Sequence, residues 1–139
     1  YGRDPFEFVQ LSNANLRHQT EYELRSKLIQ LRQLYIPASV STEKLCDLMG
    51  DSLSSFAALF RAVLMLHGRE APVSKADCVR ATAQLLRLDP LPFERIFEFR
   101  SGGNLPSSEK DANDLFGAYL LQVEQVVEAV DNLPMGDVR

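Results

Sequence analysis

The sequence predicts an all-α protein, an antiparallel bundle of about five helices of which three are long and two are short. Apolar residues recur at intervals of three and four along most of the chain, which is the spacing of one face of a helix. Alternating apolar and polar residues, typical of strands, are scarce. The 139 residues, 45% of them hydrophobic, are enough for one core. We place the bundle at residues 13–133, between a connector, 1–12, and a tail, 134–139.

The first predicted helix runs from Asn13 to Ile36, is closed by Pro37, and has two apolar faces. Its main face contains Leu16, Thr20, Leu24, Leu28, Leu31 and Tyr35. Tyr22, Ile29 and Ile36 form a second face at heptad spacing, beside His18 and Arg25. Because one core cannot easily cover both faces, we expect Tyr22, Arg25 and Ile29 to contact a neighbouring helix, another domain or a second subunit. Two i,i+4 pairs, Glu21 with Arg25 and Glu23 with Lys27, favour the helix.

The second predicted helix, 42–67, contains the most apolar run, SLSSFAALFRAVLMLHG, and Gly68 ends it. At about 100° per residue, one face collects Leu45, Leu48, Ser52, Phe56, Leu59, Val63 and Leu66. Arg61 falls on the opposite face, among the small residues Ser54, Ser55, Ala57, Ala58 and Ala62. We therefore expect a partly exposed Arg61 that points toward a cleft or interface, with Glu21 or Glu23 as an ion-pair partner.

Three further helices are predicted from capping residues and stop signals. Ser74 begins a helix that continues to about Leu88, with Asp77 at capping-box spacing. A short helix follows, with Asp89 as cap and Gly102 and Gly103 at its end. The last long helix, 108–132, again begins with capping-box spacing. Its apolar face contains Leu115, Tyr119, Val123, Val126, Val130 and Leu133.

Charge and cysteine content argue against several classes of protein. The net charge of −4 and the pI near 5.2 disfavour nonspecific binding to nucleic acid, which depends on a basic field. Arg61 interrupts the most apolar run, and the first residues lack the pattern of a signal peptide, so we expect no membrane span. Cys46 and Cys78 have no metal-ligand spacing. We expect two core thiols, no cofactor, no metal site and a cytoplasmic location.

Two short patterns resemble catalytic motifs. Residues 50–53, Gly-Asp-Ser-Leu, match the nucleophile block of a hydrolase family, but they fall inside a helical pattern, whereas that serine needs a strand-to-helix turn. The acidic residues Glu124, Glu128 and Asp131 are spaced along one face of the last helix. They lie opposite its apolar face, which favours a solvated surface over a metal site.

The spacing of Arg61 and His67, R-x5-H, resembles the R-x4-6-H signature of HEPN domains, which are all-α proteins. In that family arginine and histidine from paired subunits can cleave RNA. Histidine can move the proton of a 2′-hydroxyl while arginine stabilises charge on phosphorus. The residue after the arginine, often polar in the motif, is Ala62 here. An RNA-binding or ribonuclease role for Arg61 and His67 is therefore one hypothesis; a surface arginine and a helix-end histidine are the other.

A longer resemblance runs through EYELRSKLIQLRQLYI, SLSSFAALFRAVLMLHG and LDPLPFERIFEFR to the last helix. These blocks are similar to the C-terminal helical region of bacterial nucleotidyltransferase-like proteins with a DNA polymerase β-type fold. The resemblance implies that a nucleotidyltransferase-like domain precedes this chain, with residues 1–12 as the connector. The family's catalytic pattern, a Gly-Ser turn followed by D-x-D for two metal ions, is absent from these residues.

The implied role is noncatalytic. We expect a helical domain that binds a substrate or partner, as the C-terminal part of a nucleotidyltransferase-like protein. The implied partners are the preceding domain and, as an alternative, a second copy of the chain. The candidate binding residues are Arg61, His67, Tyr22, Arg25, Glu21 and Glu23.

Overall fold

The computed structural model describes residues 13–132, with side chains from residue 15 onward, and shows five helices and no strand in that range. The helices are α1 (Asn13–Ala38), α2 (Thr42–Leu66), α3 (Lys75–Leu86), α4 (Leu91–Arg100) and α5 (Glu109–Asp131). The predicted all-α bundle with three long and two short helices is confirmed. The connector, the tail and Leu133 lie outside the described residues.

Serine caps define where helices begin. The Ser74 hydroxyl accepts a hydrogen bond from the Asp77 N–H at 3.0 Å, and the Ser108 hydroxyl accepts one from the Asp111 N–H at 3.1 Å. Both serines have extended backbone angles, as an N-cap residue requires. These contacts confirm the capping positions that the sequence predicts for α3 and α5.

Several helix boundaries differ from the prediction by one or two residues, and three of these differences have a local cause. The first helix continues past Pro37 to Ala38, because the Ser39 N–H donates to the Tyr35 carbonyl at 2.8 Å and completes the turn. The third ends at Leu86, since the next residue, Arg87, adopts the left-handed conformation with φ of 60°. The fourth begins at Leu91, whose N–H donates to the Asp89 carboxylate at 3.1 Å.

The second helix, α2, lies at the centre of the bundle and packs against all four others. Its mean hydropathy reaches 1.3 over 18 residues, so by length and composition alone it is apolar enough to cross a membrane despite Arg61. The expectation of no membrane span stays a prediction, because length and composition do not distinguish a membrane helix from a core helix. A core helix has the same composition, and the buried side chains of α2 are in contact with the rest of the core.

Aromatic rings form a continuous series of contacts through the core. Tyr35 of α1 stacks on Phe116 of α5, with ring centroids 4.5 Å apart. Edge contacts of 6.1–6.3 Å then join Phe116 to Tyr119, Tyr119 to Phe93 of α4, and Phe93 to Phe60 of α2. Edge-to-face geometry is favourable because it places the positive ring edge against the negative ring face. Four helices are thus joined through one set of rings.

Candidate functional site

The exposed side of α2 includes Arg61, as the helical phase predicts. Glu43, Asp47, Ala58 and Met65, which share its face, are exposed as well. The predicted core face is only partly correct. Leu45, Phe56 and Val63 are buried, whereas Leu48, Ser52, Leu59 and Leu66 are half-buried. The buried face extends instead to Cys46, Met49, Leu53, Ala57, Phe60 and Leu64, because a central helix has neighbours on more than one side.

The predicted ion-pair partners of Arg61 are wrong. Its guanidinium donates to the Pro72 carbonyl at 2.7 Å and lies 4.0 Å from the Cys78 sulfur. Glu21 instead lies within ion-pair distance of Arg17 and Arg25, at 3.9 Å and 3.6 Å, and Glu23 is half-buried on α1. The Cys78 thiol donates to the same Pro72 carbonyl at 3.3 Å. Arg61 therefore anchors the loop between α2 and α3.

The small residues near Arg61 allow close approach by a helix of the same chain. Ala57 is buried, and the Ser54 hydroxyl accepts a hydrogen bond from Lys75 at 2.9 Å, at the start of α3. The close approach that the small side chains predict is thus made in part by α3. Ser55 and Ala58 remain exposed.

His67 lies at the end of α2, and its ring bonds to its own helix. The Nδ1 N–H donates to the Val63 carbonyl at 2.9 Å, since a carbonyl can only accept. Within residues 13–132, no hydrogen bond or ring contact joins His67 to Arg61. The ribonuclease hypothesis stays a prediction, which RNA cleavage by the isolated chain would test.

Replacing Arg61 by alanine is expected to lower the free energy of unfolding by about 1 kcal/mol or less. The guanidinium is exposed, so the bond to Pro72 competes with water. Chemical denaturation of both proteins checks this value. A loss above roughly 3 kcal/mol, typical of breaking a buried ion pair, would contradict a surface role for Arg61.

The outer face of α1, formed by Tyr22, Ile29 and Ile36, is left uncovered by the other described helices. Tyr22, Ile29 and Ile36 are 70%, 54% and 72% exposed, whereas Leu24 and Leu31 on the other side are buried. Two apolar faces are therefore present, as the heptad spacing predicts. Contact of Tyr22 and Ile29 with another domain or subunit stays a prediction.

A series of ion pairs joins one edge of that outer face to α5. Arg25 binds Asp131 at 2.9 Å, and Arg32 binds Glu124 at 2.5 Å. The pKa of the Asp131 carboxyl is lowered, mainly by a side-chain hydrogen bond with Glu21 and next by the contact with Arg25. Arg25 thus contacts a neighbouring helix, as predicted. The expected Glu23–Lys27 pair does not form among the described residues.

Across residues 13–132, no three His, Cys, Asp or Glu side chains are grouped so that they could hold a metal ion. Both cysteines are buried and unbridged, and burial raises the pKa of the Cys46 thiol, which makes it less nucleophilic. Ser52 lies inside α2, where its hydroxyl donates to the Met49 carbonyl at 3.1 Å, so residues 50–53 are not a strand-to-helix nucleophile turn.

A groove of about 240 Å³ lies between α1 and α2. The sequence patterns did not indicate it, since its lining residues come from two different helices. Its apolar lining consists of Leu31, Leu34, Leu48 and Phe56. Its polar lining consists of Lys27, Gln30, Asp51, Ser52 and Ser55. The buried Tyr119 hydroxyl lies 2.8 Å from the Ser52 hydroxyl.

The comparisons with known proteins add no relative. No family model, no curated protein and no solved structure matches this chain. Its functional interpretation therefore depends on the surfaces described above.

Proposed function

We propose that this chain is a noncatalytic, partner-binding helical domain of a nucleotidyltransferase-like protein, and that the outer face of α1 binds the domain that precedes it. One observation carries the proposal. Tyr22, Ile29 and Ile36 are exposed at heptad spacing on one face of a helix whose other face is in the core. Such a row of apolar side chains suits docking against a second apolar surface.

The position of the connector supports the preceding domain as the occupant. Residues 1–12 end where α1 begins, and 12 residues span at most about 40 Å. At 1.5 Å per helical residue, Tyr22 lies about 14 Å and Ile36 about 35 Å from the start of α1. A domain joined through this connector therefore reaches the whole face, at a high effective concentration that favours docking.

The test compares solvent exposure in the 139-residue chain and in the parent protein. Hydroxyl-radical labelling of Tyr22 and Ile29 is expected to be strong in the chain alone and at least severalfold weaker in the parent. The double variant Tyr22→Asp/Ile29→Asp should restore strong labelling of Ile36 in the parent. The control is Val73→Asp, at a loop residue 96% exposed, which should change nothing.

Two results would reject the proposal. One is equal labelling of Tyr22 and Ile29 in the chain and the parent. The other is a parent gene without the Gly-Ser and D-x-D pattern upstream of Tyr1, which would remove the proposed partner.

A further inference from the structure

The groove between α1 and α2 is separate from the outer face of α1. Gln30, Leu34 and Lys27 lie roughly 80–140° around the helix from Tyr22, at about 100° per residue. Its walls come from one side of each helix. The wall on α2 includes Leu48, Ser52, Ser55 and Phe56, which follow one another at intervals of four, three and one residues. Two serines in this row leave open a space that larger side chains would fill.

The size of the groove limits what it can hold. At about 30 Å³ per water molecule, 240 Å³ equals the volume of about eight waters. Sites for drug-sized ligands are typically about 300–1,000 Å³. The groove is therefore smaller than a typical site for a drug-sized ligand, and it suits a ligand of roughly ten non-hydrogen atoms.

The charges at the rim favour an anion. The Lys27 ammonium has no hydrogen bond or ion pair with any described residue. The acidic group at the rim, Asp51, already has a cation, since its carboxylate lies 3.2 Å from the Arg100 guanidinium. An incoming carboxylate would thus meet one unpaired cation, whereas an incoming ammonium would compete with Arg100.

The floor favours an apolar body with little polar surface. Leu31 and Phe56 are almost fully buried beneath the opening, and Leu48 is half-buried. The Ser52 hydroxyl gives its proton to the Met49 carbonyl, so Tyr119 is the donor in the contact between the two hydroxyls. Neither hydroxyl then offers a proton to a ligand, which leaves Lys27, Gln30 and Ser55 as donors.

We propose that this groove binds a small amphipathic anion, with a medium-length hydrocarbon chain over Leu31, Leu48 and Phe56 and a carboxylate beside Lys27. The site does not depend on the role proposed for the outer face of α1. Burial of the hydrocarbon chain supplies most of the affinity, and Lys27 supplies the preference for negative charge.

The test titrates sodium octanoate into the isotope-labelled 139-residue chain and follows backbone amide resonances. Octanol and octylammonium serve as neutral and cationic probes of the same chain length. We expect saturable shifts in residues 27–34 and 48–56. Octanoate should bind about threefold more tightly than octanol and about tenfold more tightly than octylammonium, as expected from one partly exposed ion pair.

Three variants separate charge from shape. Lys27→Gln should weaken octanoate binding about threefold and leave octanol binding unchanged. Lys44→Gln, at an exposed lysine of α2 outside the groove, should affect neither. Ser55→Phe places a ring in the opening at an exposed helical position and should abolish binding of all three probes, while thermal unfolding shows that the variant is folded.

Four results would overturn the proposal. They are equal or tighter binding of octylammonium, unchanged octanoate binding in Lys27→Gln, shifts centred outside the two helical segments, and no saturable binding of octanoate.

Discussion

Replacing Phe60 by alanine is expected to lower the free energy of unfolding by about 3–5 kcal/mol. The side chain is fully buried in α2, with ring contacts at 6.2 Å to both Phe56 and Phe93. Alanine removes the ring that lies between Phe56 and Phe93 and leaves a cavity that rigid helices fill only in part. Because small domains are stable by about 5–15 kcal/mol, this single change removes a large share of the total.

The matched control is Phe97→Ala, the same substitution at a half-buried ring of α4 whose neighbour is the Arg80 guanidinium, 5.3 Å from the ring centroid. We expect it to cost less than half as much, since a partly exposed ring leaves a space that water fills. Urea denaturation of the three proteins measures both values. Equal losses at the two positions would contradict the central place of Phe60 in the core.

Replacing Leu24 by alanine is expected to cost about 2–5 kcal/mol, whereas replacing Ile29 by alanine should change stability by less than about 1 kcal/mol. The two side chains are isomers on one helix. Leu24 is fully buried in the core and Ile29 is 54% exposed on the outer face. Alanine also favours a helix slightly more than isoleucine does, which offsets part of the small loss at Ile29.

If Ile29→Ala loses more stability than expected, denaturant titration at two protein concentrations distinguishes two explanations. A large loss for Ile29→Ala that is independent of concentration would place Ile29 in the core. If the loss grows with concentration, α1 pairs with a second copy of the chain, and the outer face is not reserved for a preceding domain.

Periodicity and capping chemistry were sufficient to predict the helices. The serine caps Ser74 and Ser108 act through local hydrogen bonds, which depend on residues three positions apart and not on the rest of the fold. The same locality explains why Gly102, with φ of 95°, ends α4 where the sequence places its end. The exposure of Arg61 and of the Tyr22 face also follows from phase alone, because helical phase fixes which side chains lie together.

Side-chain partners were harder to predict, because they depend on which helices become neighbours. Helical phase predicts a pair of Arg61 with Glu21 or Glu23 of α1, yet the guanidinium donates to the Pro72 carbonyl, in a loop nearer in sequence. Gln122 of α5 is buried, and its side-chain carbonyl accepts a hydrogen bond from the Asp89 N–H at 3.0 Å. No sequence pattern predicts this burial or this partner. A buried polar side chain needs a partner, but only the packed fold identifies it.

The helical class, the number of helices and the two faces of α1 could be predicted from the sequence, since they follow from local dihedral preferences and from the spacing of apolar residues. The packing of the helices, in contrast, makes α2 the central helix, brings Ser52 to Tyr119, and places Lys27 and Phe56 along one groove. Such contacts join residues far apart in the chain, and they are set by the angles and distances at which rigid helices pack. Those quantities depend on all the contacting side chains together, so no single segment of the sequence specifies them.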